Sequence, residues 1–246
     1  MRFLISALIA IALFLSPAPV LAQWRFDIEA GIAWNGYNDV RIPGTTGTFF
    51  SLSEELKADP APVIRLRTFY SWTERSSLSF LAAPLRIHSR GQLSRPILFG
   101  AAVFPANTQL TSRFQFDSYR LTYAYIFHKS EAIVLAIGGT AKIRSASIRV
   151  ESSGQSSEKP DLGFVPLVNF HFLWRMDRNV SLLFEGDALA APQGRAEDVL
   201  LALQYAASPG MHIRLGYRLL EGGADASSVY TFTWVNYVTA GMTLEL

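Results

Sequence analysis

Val238 to Leu246 reads VTAGMTLEL: Val238, Ala240, Met242, Leu244 and Leu246 alternate without a break with Thr239, Gly241, Thr243 and Glu245. Successive side chains of a β-strand point to opposite faces, so this stretch is a strand with one apolar face and one small or polar face. The apolar face has to lie against something. What it lies against decides the fold, and the rest of the chain supplies the answer.

At the other end, Arg2 is followed by an apolar run from Phe3 to Leu15 and a small-residue site at Val20-Leu21-Ala22, the layout of a secretion signal cleaved before Gln23. The run is shorter than the ~20 residues that a spanning helix needs, and no later stretch is long and apolar enough either. The expected organisation is a signal peptide over 1–22 and one domain over 23–246. Cysteine is absent, which excludes a disulfide or thiolate-metal framework. With 22 basic and 20 acidic residues interspersed, the net charge of +2 offers no face for nucleic acid. Yet 50% of the residues are hydrophobic and 13% aromatic, and lipid contact would account for both figures.

The period of two recurs along the chain. It predicts a first strand over Trp24 to Asn35, with Trp24, Phe26, Ile28, Ala30, Ile32 and Trp34 on one face, then a long polar loop from Gly36 to Ala61. The second strand is Pro62 to Trp72. The third starts at Leu78, and its alternation slips near Pro84, after which Leu85 and Ile87 take the apolar side; a bulge is expected there, because proline lacks an amide donor. Ser89 to Ser112 is the second long connection. Its apolar run from Pro96 to Pro105 is expected to extend the hairpin, with folding back into the barrel mouth or contact with a partner as the alternatives.

Further strands are predicted over Arg113 to Phe127, Ala132 to Ser145, Gly163 to Arg175, Val180 to Ala190, Val199 to Ala207, Met211 to Leu220 and Val229 to Leu246. Glu151 to Asp161, Ala191 to Asp198 and Glu221 to Ser228 read as loops. Long connections alternate with short ones, as an up-and-down meander requires, and both termini then fall on the short-turn side, in the periplasm. Outside the irregular third strand, the charges within the strands lie on the face opposite the apolar one. Aromatics such as Trp24, Tyr70, Trp72, Trp174 and Tyr205 gather at the turn-side ends, where an interfacial girdle belongs.

On the leader, the alternation and the final strand, the whole mature chain resembles a bacterial outer-membrane β-barrel protein. It is also similar to a set of small barrels carrying segments like Asp187 to Asp198 (DALAAPQGRAED) and Glu221 to Tyr230 (EGGADASSVY). The resemblance implies an all-β fold, a closed antiparallel up-and-down transmembrane barrel of ten strands, with eight strands and two loop hairpins as the alternative. It also implies residence in the cell outer membrane, contact with outer-membrane lipid, and handling by the barrel-assembly machinery during insertion. Leu246 stands where such proteins usually end on an aromatic residue.

The chemistry is expected in the lumen. Glu29, Arg65, Arg67, Arg120, Glu185, Asp187 and Arg218 fall at similar heights on the inward face, and opposite charges at one depth suggest a paired network. Arg25 and Glu245 are expected to meet across the seam between the first and last strands. This points to a structural or narrow-channel role with a side-chain-filled lumen. Surface recognition through 36–61 and 89–112 is the alternative. An outer-membrane hydrolase is a weaker one, since of His88, His128, His171 and His212 only His88, beside Ser89, approaches the loop-side rim. No catalytic set, metal-ligand spacing or cofactor motif is present, and no cofactor is expected.

Overall fold

Alternation carries the chain up and down ten times. The computed structural model describes residues 23–192 and 194–246, so the expected signal segment lies outside the described residues. The wall consists of β1 (Gln23–Arg41), β2 (Ala61–Ser71), β3 (Ser76–Ala83, resumed as Arg86–Gln92), β4 (Gln109–Lys129), β5 (Ile133–Ser152), β6 (Gln155–Arg175), β7 (Val180–Ala191), β8 (Gly194–Ser208), β9 (Met211–Ala226) and β10 (Val229–Glu245). Each strand pairs antiparallel with the next, and β1 pairs with β10, which closes a ten-stranded barrel without a free edge at its base. The eight-stranded alternative is set aside.

Around the lower part of the wall the outward side chains are apolar and exposed: Ile28 and Ile32 on β1, Leu66 on β2, Phe80 on β3, Leu121 on β4, Ile137 on β5, Val168 on β6, Leu203 on β8, Leu215 on β9 and Val238 on β10. A closed sheet satisfies every backbone group internally, so such a belt can face hydrocarbon, and this is a transmembrane barrel. At the short-turn end Phe26, Trp24, Tyr70, Trp72 and Tyr123 form a continuous row, with ring centroids 6.4, 5.0, 6.4 and 5.9 Å apart in turn. The turn between β8 and β9 is tight because Gly210 takes φ +74°, a conformation that costs glycine nothing.

Above the belt the polarity of the wall inverts. On β4, outward Tyr125, Tyr123, Leu121 and Tyr119 give way to Asp117, Gln115, Arg113 and Thr111; on β5, Ile137 and Ile143 give way to Ser147, Arg149 and Glu151. Outer-face ion pairs appear at this height, Arg113–Glu158 at 3.3 Å, Arg149–Glu151 at 2.5 Å and Arg86–Asp117. The inward residues there are apolar instead: Val63, Leu85, Ile87, Leu110, Phe114, Ile148, Val150 and Val235 are all buried.

This inversion corrects several sequence expectations. There is no bulge at Pro84. The register of β3 against β4 is the same on both sides of it, and Phe116 donates its amide to the Leu85 carbonyl at 2.9 Å. Leu85 and Ile87 keep their parity and face inward, where the lumen has become apolar. The wall does bulge at Gly36, between Asn35 and Tyr37, so the expected first loop begins instead as six more residues of strand. Glu151 to Asp161 is not a loop, since β5 and β6 stay paired to Ser152 and Gln155. Likewise β7 and β8 run to Ala191 and Gly194, and β9 and β10 to Ala226 and Val229.

The apolar run 96–105 does not extend the barrel sheet. It forms a small separate hairpin, Ile97–Phe99 with Ala102–Phe104, that folds over the mouth. Ile97, Phe99 and Phe104 are buried together with Phe50, Leu52 and Leu56 of the first loop, Phe50 and Phe99 meeting edge to face at 6.2 Å. The Leu98 amide donates to Thr48 Oγ1 at 2.9 Å, which ties the two loops into one cap.

Candidate functional site

Under the cap, every strand of the membrane-spanning wall except β3 contributes a side chain to one connected polar layer. Asp198, at the inward position of β8, is its hub. It accepts from Arg65 at 3.0 Å, from Arg120 at 2.5 Å and from Arg218 at 2.6 Å. Glu29 on β1 takes Arg218 on two atoms at 2.8 and 3.0 Å and Arg214 at 3.0 Å, with Arg65 at 3.4 Å. Asp187 on β7 accepts from Arg120 at 2.7 Å, Thr140 at 2.6 Å and Asn169 at 2.9 Å.

Toward the turn side, Arg67 donates to Glu185 at 3.2 Å, and His171 Nδ1 lies 3.1 Å from the same carboxylate. Arg214 grips Asp27, which Thr243 also donates to at 2.6 Å. Five arginines (65, 67, 120, 214 and 218) thus face five carboxylates (27, 29, 185, 187 and 198). Desolvating so many charges is tolerable only when each is paired and hydrogen-bonded, as here.

The seven residues singled out from the sequence, Glu29, Arg65, Arg67, Arg120, Glu185, Asp187 and Arg218, all stand in this layer. Arg25 and Glu245 face each other across the seam, their charges 4.0 Å apart and both partly exposed. Sequence reasoning left out Asp27, Arg214 and above all Asp198. Asp198 reads as part of a loop because Pro192 and Gly194 precede it, but its parity with inward Leu200 and Ala202 is the available signal.

The contacts cross the lumen. Arg65 on β2 and Asp198 on β8 stand on opposite walls, as do Arg120 on β4 and Asp198, and Arg120, Glu29 and Asp198 are all within 2% of complete burial. Side chains meet across the middle of the section. His88 and Ser89 do not meet: His88 is exposed on the outer face, while Ser89 is 3% exposed on the inner one. Among the described residues no group of three or more metal-ligating side chains comes together.

Above the polar layer the wall is incomplete on one side. β6 pairs with β5 along its full length but with β7 only from Val168 to Arg175, leaving Gln155 to Leu167 paired to a strand on one side alone. Behind this notch lies a cavity open at its mouth, lined from β4, β5, β6, β8, β9 and β10 but not from β7. Two outward side chains on the exposed strand beside it, Leu162 at 75% and Phe164 at 65%, are among the most exposed apolar residues of the protein.

No protein-family model matches the chain, and no curated protein matches it in sequence. Solved structures match in fold. The outer membrane protease OmpT from Escherichia coli aligns with a TM-score of 0.54 at 11% identity, over 91% of this chain and 97% of that one. An outer membrane channel from Pseudomonas putida F1 aligns with a TM-score of 0.44 at 12% identity, over 94% and 97%. Ail, the attachment invasion locus protein of Yersinia pestis, aligns with a TM-score of 0.38 at 11% identity, over 90% and 98%. The fold is that of bacterial outer-membrane β-barrels.

Proposed function

We propose that this protein resides in the outer membrane as a barrel closed across its middle, acting at its capped mouth and not as a water-filled pore. The observation that carries this reading is the grip of Arg65 and Arg120 on Asp198 from opposite walls. An ion crossing that layer would have to displace charge-assisted hydrogen bonds among buried groups. Orientation follows from the connections: Gln23 and Leu246 lie at the short-turn end, which belongs in the periplasm, and the cap then faces outside the cell.

In this reading the layer fixes the barrel's shape, and the cap and notch form the working surface. Surface recognition through the loops is a second reading, favoured by Phe49 and Val103, which the cap leaves 47% and 56% exposed. The test is electrical. Purified protein inserted in planar bilayers is expected to give no conductance steps, and Asp198→Ala, which releases three arginines, is expected to leak. Regular steps from the unaltered protein would sink the closed-barrel reading.

A further inference from the structure

The paired layer leaves one cation over. Lys142, inward on β5 beside Arg120, is 2% exposed and makes no salt bridge among the described residues. The neighbouring carboxylates are engaged elsewhere, Asp187 and Asp198 by Arg120, and Asp161 by Arg144. Its ammonium sits 4.7 Å from the centre of the Phe116 ring, and the side chain lines the floor of the cavity behind the notch. Burying an ammonium without a counterion is costly, and an anion brought beside the Lys142 nitrogen would offset that cost.

The rest of the cavity fixes what carries that charge. Above Lys142 the lining is mixed: Phe114, Ile148, Val165 and Leu220 make an apolar stretch, while Arg144 is paired with Asp161 and Arg195 with Glu221, and Lys159 adds a further cation. Beside Phe164 the wall stands low, immediately above the lipid-facing residues Pro166 and Val168 of the same strand. We infer that the cavity binds an anionic amphiphile, of the long-chain carboxylate class, which enters sideways from the outer leaflet. The carboxylate meets Lys142, and the chain lies along Phe114 and Val165 and leaves through the notch. The buried Lys142, with Lys159 also unpaired in the same lining among the described residues, calls for an anionic head, and the apolar stretch beside the notch calls for a chain.

This inference rests on the closed barrel, since an open lumen would hydrate Lys142. Conductance reports on that reading, and binding reports on this one. The experiment titrates carboxyl-13C dodecanoate, below its micellar concentration, into the full protein in neutral-lipid nanodiscs, subtracting empty discs. One saturable site per barrel is expected. Lys142→Met, which removes a buried charge without changing the fold's packing, is expected to weaken binding by about tenfold to a hundredfold. Val165→Trp, filling the cavity from β6, is expected to abolish it while the Lys142 ammonium remains.

Dodecanol is expected to bind wild type no better than it binds Lys142→Met. Equal dodecanoate binding by wild type and Lys142→Met would overturn the assignment. So would dodecanol binding as tightly as dodecanoate, or butanoate competing as well as the long chain.

Discussion

The two halves of this barrel are built on opposite rules from the same strands. In the lower half Leu121 faces out and Arg120 faces in; ten residues earlier on β4, Thr111 faces out and Leu110 faces in. Neither the backbone nor the parity changes, only the solvent. Hydrocarbon outside drives charge into the lumen, where it must pair, whereas water outside allows the ordinary arrangement of an apolar core under a polar surface. The lower half is held by geometry between ions and the upper half by packing, so the two should fail differently.

The largest expected effect is on the ionic side. Asp198→Ala leaves Arg65, Arg120 and Arg218 without their shared carboxylate, and breaking a buried pair in this way costs about 3–5 kcal/mol. Urea unfolding in lipid vesicles should show that loss for the whole barrel. Leu52→Ala, in the cap core, is expected to cost about 2–5 kcal/mol locally. Proteolysis should then cut the 42–58 and 93–105 loops while the strands stay protected. A global loss of the barrel would mean that the halves are not separable.

Leu121→Arg, in the lipid belt, is expected to cost about 2–4 kcal/mol, and Thr111→Arg, at the same parity above it, within about 0.5 kcal/mol. Equal costs would erase the boundary between the halves.

The smallest effect is a pH dependence confined to the cap. Hydrogen bonds from Arg95 hold the Glu55 carboxyl below its ordinary 4.5. Its folded pKa is depressed, so its contribution is present above about pH 4.5 and is lost as pH falls through the folded value. The pair is partly exposed, at 44% and 32%, and screening limits its worth to under about 1 kcal/mol. Cap opening followed by hydrogen exchange should rise below that pH in wild type and flatten in Glu55→Gln.

The comparison also explains what the sequence could and could not reveal. The belt was legible because lipid enforces strict alternation: Trp24 to Trp34 and Val238 to Leu244 could be assigned a face from spacing alone. The charged layer was legible in part where a strand was recognised: Glu29, Arg120 and Asp187 stand out by height and parity, Asp27 and Arg214 share that parity but lie nearer the turn side, and Asp198 falls one residue before the strand start that spacing suggests. Above the belt the rule fails. Leu85 and Ile87 look like a slip only if apolar must mean outward, and Glu151 to Asp161 looks like a loop because both faces of that hairpin carry polar residues. The notch was invisible in the spacing, since it depends on β7 being shorter than β6, a matter of pairing and not of composition.

Lipid contact itself can be mapped along one strand. Spin labels placed singly at Tyr125, Tyr123, Leu121, Tyr119, Asp117, Gln115, Arg113 and Thr111 of β4 report collisions with oxygen, which concentrates in hydrocarbon, or with a water-soluble nickel complex. The inverted barrel predicts oxygen contact from Tyr125 to Tyr119 and nickel contact from Gln115 to Thr111, with the crossover at Asp117. Oxygen contact continuing to Thr111, or nickel contact at Leu121, would contradict it.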